Sequence, residues 1–165
     1  MRPLEVIILV GLPGAGKSTF CDLFPKHVQI NQDSLGNRGD CINAMKRQLS
    51  QGKSVIIDRT NITKAQRRYF VDIAKDYKDT KIYCIFLDFP AVDCIQRIKN
   101  RKVHETLPGS TPDSKIIEVV NKFNKSLELP DYAEGFEEII HITDFKLVNS
   151  LPKFFISQDP KDCSS

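Results

Sequence analysis

The most informative residues in the sequence form a glycine-rich run that closes with a lysine and two hydroxyl side chains. It reads Gly11-Leu12-Pro13-Gly14-Ala15-Gly16-Lys17-Ser18-Thr19 and fits the pattern G-x-x-x-x-G-K-[ST] in full. In such a phosphate loop, glycines let backbone N–H groups turn toward phosphate oxygens, and the following helix adds partial positive charge. We expect Lys17 to reach the β- and γ-phosphates of ATP or GTP and the Ser18 hydroxyl to bind Mg²⁺. The predicted nucleotide contacts come from Gly11, Pro13, Gly14, Ala15, Gly16, Lys17, Ser18 and Thr19.

Two aspartates follow predicted strands, at the edge where open α/β sheets place their chemistry. Asp33 comes after the run Val28–Asn31, and Asp58 ends the run Ser54–Asp58. A hydroxyl that attacks a γ-phosphate needs a carboxylate to align it and take its proton. Either aspartate could be that base, while the other could hold a metal-bound water or orient an arginine. Each also fits a helix cap or a turn, which aspartate favours.

A pair of arginines predicts a lid. Arg97 and Arg101 are four residues apart, so both project from one face of a helix. They precede a stretch rich in Pro, Gly and Ser, 107–112, which indicates a mobile segment over the triphosphate, about residues 97–112. The alternative is a solvated helix face.

A second basic set follows Asp58 directly and consists of Arg59, Lys64, Arg67 and Arg68. Basic residues favour nucleic acid when an aromatic platform lies beside them, and the sequence shows none here. A solvated helix end is the simpler interpretation of this set.

Short apolar runs alternate with amphipathic segments, which is typical of βα units wound into a parallel sheet buried on both faces. The predicted strands are Val6–Val10, Val28–Asn31, Ser54–Asp58, Ile82–Asp88 and Glu138–Ile142. The predicted helices span residues 17–24, 40–51, 63–77, 90–100 and 112–127. No repeat or linker interrupts the pattern, so we expect a single domain over residues 1–165. Its tail after about residue 146 is less regular, with Phe154–Ile156 as a candidate edge strand.

Composition limits the classes of protein that this chain could be. Hydrophobic residues make up 41% and charged residues 27%, as in globular proteins, and no apolar run is long enough to cross a bilayer. The net charge of +3 is too small to indicate a nucleic-acid partner by itself. Five cysteines with no C-x-x-C pair favour reduced, buried thiols in an intracellular protein of the nucleus or cytoplasm. No N/T-K-x-D stretch is present to select guanine, and the length favours a small kinase over a motor or a switch GTPase.

Taken in order, four motifs resemble the kinase domain of polynucleotide 5′-kinases, which heal DNA and RNA ends. They are also similar to the kinase module of some aprataxin-like proteins. The resemblance runs from about Val6 to Ile142 and is more specific than the phosphate loop alone. After that loop it rests on Ile30-Asn31-Gln32-Asp33-Ser34-Leu35-Gly36, residues 52–61 with Asp58-Arg59-Thr60-Asn61, Phe86-Leu87-Asp88-Phe89-Pro90, and Glu134-Gly135-Phe136.

The resemblance implies a three-layer α/β P-loop kinase fold with a helical lid and a parallel five-stranded sheet in the order 2-3-1-4-5. That order would put Asp58 beside the phosphate loop and Asp33 one strand further out, about 4.8 Å away. Asp33 would then be the general base for a 5′-hydroxyl, and Arg97 and Arg101 the lid arginines on the donor phosphates. The implied partner is a nucleic acid with a 5′-hydroxyl end, either DNA or RNA.

The sequence also departs from that family. Phage-type enzymes carry an arginine three residues after the base, where it binds the 3′-phosphate of the substrate. This position is Gly36 here, as in animal-type enzymes, and Arg38 is a candidate substitute. The D-x-D-G-T motif of the 3′-phosphatase that many relatives carry is absent from this sequence.

Two other functions remain open at this stage. One is a kinase of the same superfamily that phosphorylates a metabolite, a nucleoside or a tRNA-borne group. The other is a nucleotide-binding module without catalysis, although such a module would be expected to lose Lys17, Asp33 or the lid arginines. The sequence does not separate ATP from GTP or DNA from RNA.

Overall fold

A computed structural model describes residues 3–31, 36–104 and 112–144, with residues 102–104 described by their backbone alone. Five parallel strands form one sheet in the order β2-β3-β1-β4-β5. This order and the helices on both sheet faces confirm the predicted fold class. The strands are β1 (Glu5–Gly11), β2 (Val28–Asn31), β3 (Val55–Asp58), β4 (Lys81–Leu87) and β5 (Glu138–Ile142).

The central strand β1 is apolar because it is covered on both faces. Its residues Val6–Val10 have no solvent exposure, and β1 pairs with β3 on one side and β4 on the other. Val6, Ile8 and Val10 pack into one core, while Ile7 and Leu9 pack into a second core on the opposite face. A continuous apolar run is what such a strand requires.

The edge strand β2 is not buried on both faces, contrary to the expectation from its sequence. Ile30 is buried, whereas Gln29 is exposed and Val28 and Asn31 are half-buried. Since successive residues of a strand point to opposite faces, Gln29 and Asn31 share the face that Ile30 does not. This polar face of β2 contributes directly to the site described below.

Within residues 3–31, 36–104 and 112–144, five helices cover the sheet, and two of them begin with side-chain caps. Asn37 accepts a hydrogen bond from the Asp40 N–H at 2.9 Å, and Thr63 forms a capping box with Gln66. Helices α2 and α3 pack on one face, and α1, α4 and α5 pack on the other. They are α1 (Lys17–Cys21), α2 (Arg38–Ser50), α3 (Lys64–Lys75), α4 (Ala91–His104) and α5 (Asp113–Ser126).

Most helix bounds match the sequence predictions within about two residues. Helix α1 is shorter than predicted and ends at Cys21, while α4 continues past residue 100 into the predicted lid. Four of the five cysteines are described, and all four are buried free thiols: Cys21, Cys41, Cys84 and Cys94. Among the described helices, none is both long and apolar enough to span a membrane.

Several predicted features lie outside the described residues. They include Asp33, the part of the lid at residues 105–111, and the tail with Phe154–Ile156. These remain sequence-based predictions.

Candidate functional site

The phosphate loop connects β1 to α1 through a tight turn. The Ala15 N–H donates to the Leu12 carbonyl at 3.0 Å, and Pro13 lies inside this turn. Gly14 and Gly16 have φ angles of 84° and 87°, which residues with a Cβ atom rarely adopt. Gly16 also caps α1, where the Phe20 N–H donates to its carbonyl at 2.9 Å.

Helix α4 packs directly against this loop, and this close packing is a second reason why positions 14 and 16 require glycine. A Cβ atom on Gly14 would lie 2.5 Å from the Cys94 carbonyl oxygen, and one on Gly16 would lie 2.8 Å from Arg97 Nη1. The first contact would require the backbone of α4 to move, and the second would require the Arg97 side chain to move away from the loop. The loop and the first turns of α4 therefore form one packed unit.

Lys17 bends back over the loop from the start of α1. Its ammonium Nζ donates to the Leu12 carbonyl at 2.7 Å and to the Gly11 carbonyl at 3.1 Å. The lysine charge is thus held within the loop, where the β- and γ-phosphates are expected to bind. Thr19, the last residue of the motif, is exposed on α1.

Asp58 lies beside the phosphate loop, as the predicted strand order requires. It ends β3, is only 5% exposed, and its Oδ2 accepts a hydrogen bond from Ser18 Oγ at 2.9 Å. The described residues contain no group of three or more His, Cys, Asp or Glu side chains that could hold a metal by themselves. A hydroxyl beside a single carboxylate fits Mg²⁺, which keeps several waters and takes its remaining ligands from phosphate oxygens.

Two amides on β2 also donate to Asp58, and the sequence analysis missed both. Gln29 Nε2 lies 2.7 Å and Asn31 Nδ2 lies 3.1 Å from Asp58 Oδ2. The available signal was the alternation of Gln29 and Asn31 with apolar residues in a strand adjacent to β3. Their partner could not be identified because the register of β2 against β3 is not legible in the sequence.

The two predicted lid arginines occupy different positions. Arg97 is half-buried, with Nη1 3.5 Å from the Gly14 carbonyl and its guanidinium carbon 5.7 Å from the centre of the Phe89 ring. Burial lowers the pKa of Arg97, and the neighbouring charge of Arg101 lowers it further. Arg101 itself is exposed one turn later. The described structure therefore brings Arg97, and not Arg101, to the phosphate loop.

Arg38 belongs to an aromatic contact that the sequence did not reveal. Its guanidinium carbon lies 4.0 Å from the centre of the Tyr69 ring, and the Tyr69 side chain is 44% exposed. Arg59 lies close by: burial lowers its pKa, and the charge of Arg38 adds to that lowering. Tyr69, which directly follows Arg68 in the sequence, is thus an exposed aromatic side chain beside the second basic set.

Arg67 was assigned to that basic set, and this assignment was wrong. The side chain is fully buried and forms a two-pronged ion pair with Glu134, at 2.8 and 3.1 Å. Its Nη1 donates to the carbonyl of Asn61, whose own amide donates to the Leu9 carbonyl of β1, each at 2.8 Å. Arg67 thus fastens the loop after β3. Its spacing of three residues before buried Phe70 was the signal that placed it on the inner face of α3.

The fold and the donor site together define a class of protein. A parallel sheet in the order 2-3-1-4-5, a complete phosphate loop and an aspartate beside its serine are the parts of a P-loop kinase, a nucleotide-dependent phosphotransferase. The sequence profile of a family described as AAA domain matches residues 23–130, more than half of the chain. The chain belongs to this AAA domain family, and P-loop kinases as a class use a nucleotide and Mg²⁺.

Three curated relatives align with most of the chain. The Arabidopsis thaliana protein named transcription factor bHLH140 is 34% identical over 145 residues, 82% of this chain and 15% of its own. The bifunctional polynucleotide phosphatase/kinase of Schizosaccharomyces pombe is 31% identical over 141 residues, 82% of this chain and 32% of its own. The L-seryl-tRNA(Sec) kinase of Methanococcus maripaludis is 29% identical over 171 residues, 86% of this chain and 67% of its own. The chain spans a third or less of the first two relatives.

Solved structures agree on the fold. The crystal structure of a fungal RNA kinase matches with a TM-score of 0.71 and 16% identity, over 100% of this chain and 91% of that one. The Pnkp1/Rnl/Hen1 RNA repair complex contains a chain that matches with a TM-score of 0.60 and 23% identity, over 76% of this chain and 46% of that one. These similarities establish the P-loop kinase fold.

Proposed function

We propose that this chain is a polynucleotide 5′-kinase, which transfers the γ-phosphate of a nucleoside triphosphate to the 5′-hydroxyl of DNA or RNA. The observation that carries the proposal is the exposed Arg38–Tyr69 pair, at 4.0 Å, in which Arg38 begins the helix that follows β2. A nucleic-acid strand presents bases that stack on aromatic rings and phosphates that attract arginines. A small metabolite needs no such exposed platform.

On the donor side, each side chain has a distinct task. The phosphate loop and Lys17 hold the β- and γ-phosphates, and Arg97 adds positive charge from α4. Ser18 would ligate Mg²⁺ directly and Asp58 would accept a hydrogen bond from a water on it, so that the ion offsets charge developing on the phosphates. Arg101 would join Arg97 on the phosphates when the lid closes.

We assign the general base to Asp33, in the segment that follows β2. Asn31, the last residue of β2, pairs in register with Asp58, so the chain leaves β2 at the edge where the donor site lies. Asp33 follows two residues later. A carboxylate there could accept the proton of a hydroxyl that attacks the γ-phosphate.

The acceptor strand would lie over the outer side of β2 and β3. Arg38 begins α2, and Tyr69, Lys64 and Arg68 are exposed on α3. In this arrangement Tyr69 offers a ring for one base, while Arg38 and the neighbouring basic side chains attract phosphates. Arg67 has no part in it because it is buried.

One observation favours a second acceptor, a small hydroxyl group carried on tRNA. The alignment with the L-seryl-tRNA(Sec) kinase covers two thirds of that relative, a larger share than for the phosphatase/kinase. Such a kinase would also need basic residues for its tRNA. The two functions differ in the hydroxyl that receives the phosphate, and this is an experimental question.

A panel of acceptors tests the proposal. The protein would be given γ-labelled ATP or GTP with Mg²⁺ and 5′-hydroxyl DNA or RNA oligonucleotides, 5′-phosphorylated oligonucleotides, nucleosides or seryl-tRNA. The proposal expects label on the 5′-hydroxyl strands alone, lost in Asp33→Ala although this variant still binds nucleotide. Label on seryl-tRNA alone would replace it with the second function, and label on a nucleoside alone would indicate a small-molecule kinase. Nucleotide binding without transfer to any acceptor would indicate a binding module.

A further inference from the structure

One oxygen of Asp58 accepts three hydrogen bonds from side chains. Ser18 Oγ, Gln29 Nε2 and Asn31 Nδ2 lie 2.9, 2.7 and 3.1 Å from Asp58 Oδ2. The described residues donate no hydrogen bond to the other carboxylate oxygen, Oδ1. The carboxylate is therefore held through Oδ2, and Oδ1 can accept a further hydrogen bond.

The geometry of β2 explains why two amides reach the same oxygen. Asn31 pairs in register with Asp58, and Gln29 pairs with Ile56, two residues earlier on β3. Since side chains alternate along a strand, Gln29 and Asn31 share the sheet face of Ile56 and Asp58, which is the face covered by α1. Ser18 approaches Asp58 from α1, so donors from two elements meet on one atom.

Of the three donors, only Ser18 has a second task. If its hydroxyl binds Mg²⁺ through a lone pair, its single O–H can still be donated to Asp58, but the ion then also decides where the hydroxyl lies. Gln29 and Asn31 have no phosphate or metal role in the loop motif. Their two amides therefore hold Oδ2 of Asp58 independently of the ion, which the Ser18 hydroxyl does not.

We propose that Gln29 and Asn31 are positioning residues for the metal site. Their amides hold Oδ2 of Asp58 so that Oδ1 accepts a hydrogen bond from water on the nucleotide-bound Mg²⁺. Outer-shell partners of this kind orient the groups around a metal and tune its binding. The inference rests on the Mg²⁺–nucleotide part of the proposed function and is independent of the acceptor.

Gln29 provides the clean test because its side chain is exposed and it belongs to an edge strand. The variant Gln29→Leu keeps the size of the side chain and removes both N–H donors. The matched control is Gln51→Leu. Gln51 is an exposed glutamine that precedes β3, whereas Asp58 is the last residue of β3, so the two lie at opposite ends of this strand. Asn31→Ala is the second variant.

The measurement is the affinity for ATP, by calorimetry without any acceptor, in Mg²⁺ and in EDTA. We expect the Mg²⁺ concentration needed for half of the affinity gain to rise about tenfold in Gln29→Leu, with the affinity in EDTA unchanged. Asn31→Ala should shift it in the same direction, and Gln51→Leu should match the wild type. An unchanged Mg²⁺ dependence in Gln29→Leu, or an equal loss of affinity in EDTA, would overturn the proposal. A failure to phosphorylate oligonucleotides would leave this result unaffected.

Discussion

The donor site and the proposed acceptor surface, which is called the acceptor side below, are built in different ways. On the donor side, residues 11–17 of the phosphate loop and Asp58 are buried or half-buried, and Lys17 and Asp58 are held by hydrogen bonds at 2.7 to 3.1 Å. On the acceptor side, Arg38 and Tyr69 are exposed and meet through one ring contact. Phosphoryl transfer needs fixed positive charge around the phosphates. Binding a strand of varied sequence needs an adaptable surface instead.

This difference predicts which substitutions abolish chemistry and which only weaken binding. Donor-side changes should act on turnover or on folding. Acceptor-side changes should act on the KM for the oligonucleotide and leave nucleotide binding intact.

The largest effect on stability is expected from Arg67, whose guanidinium donates to the Asn61 carbonyl in the loop after β3. Arg67→Met leaves Glu134 in a largely buried place without its partner, which should lower the free energy of unfolding by about 3–5 kcal/mol. Urea unfolding measures this change. The neighbouring Arg68→Met is the control, because Arg68 is exposed and should stay within about 0.5 kcal/mol of the wild type. Equal stability of the two variants would contradict the buried ion pair.

The next largest effect is expected from Lys17→Met, which should lower turnover and leave stability unchanged. Removing one preorganised charge from the transition state costs about 10²–10³ in kcat for comparable groups. Methionine keeps the length of the side chain, so the circular dichroism spectrum and the unfolding midpoint should stay near those of the wild type. Turnover of Lys17→Met within a few-fold of the wild type would remove Lys17 from the donor site.

A pair of glycines tests the packing of α4 on the phosphate loop. Gly14→Ala combines a φ of 84° with a clash against the Cys94 carbonyl, whereas Gly52→Ala has a φ of 72° and open space around its Cβ. The backbone strain should cost each variant about 1–2 kcal/mol, and the clash should cost Gly14→Ala about 1–3 kcal/mol more. Thermal unfolding and ATP binding measure both. ATP affinity should fall in Gly14→Ala only.

The smallest effect is expected on the acceptor side. Tyr69→Ala removes a stacking surface worth about 1–3 kcal/mol per base, so the KM for an oligonucleotide should rise about fivefold or more. The KM for ATP should not change. Arg38→Gln should lower oligonucleotide affinity and reduce its dependence on salt concentration, because a phosphate contact is lost. If either variant changed the KM for ATP and not that for the oligonucleotide, the two sides would not be separable.

Features within one segment of the chain could be predicted from sequence, and contacts between distant segments largely could not. The phosphate loop, the strands and most helix bounds follow from local pattern. The position of Asp58 beside Ser18 followed from the strand order implied by the family resemblance. By contrast, Gln29 reaches Asp58 across 29 residues, and Arg38 meets Tyr69 across 31. Those contacts depend on strand register and helix packing.

Arg67 shows a different kind of error, in which charge was given more weight than periodicity. Its place three residues before Phe70 put it on the apolar face of α3, and a buried arginine there required an acidic partner. Glu134 supplies that partner from 67 residues away. The sequence already contained Glu134 in one of the motifs of the resemblance, but nothing local linked it to Arg67.

The most direct test of the account follows the transferred phosphate to a single atom. A 5′-hydroxyl oligonucleotide would be incubated with γ-labelled ATP and Mg²⁺, and the product digested to 5′-mononucleotides. The account predicts that all label is on the first nucleotide, one phosphate per strand, and that a 5′-phosphorylated strand takes up none. Label on internal nucleotides, on both strands equally, or only on a small acceptor would contradict it.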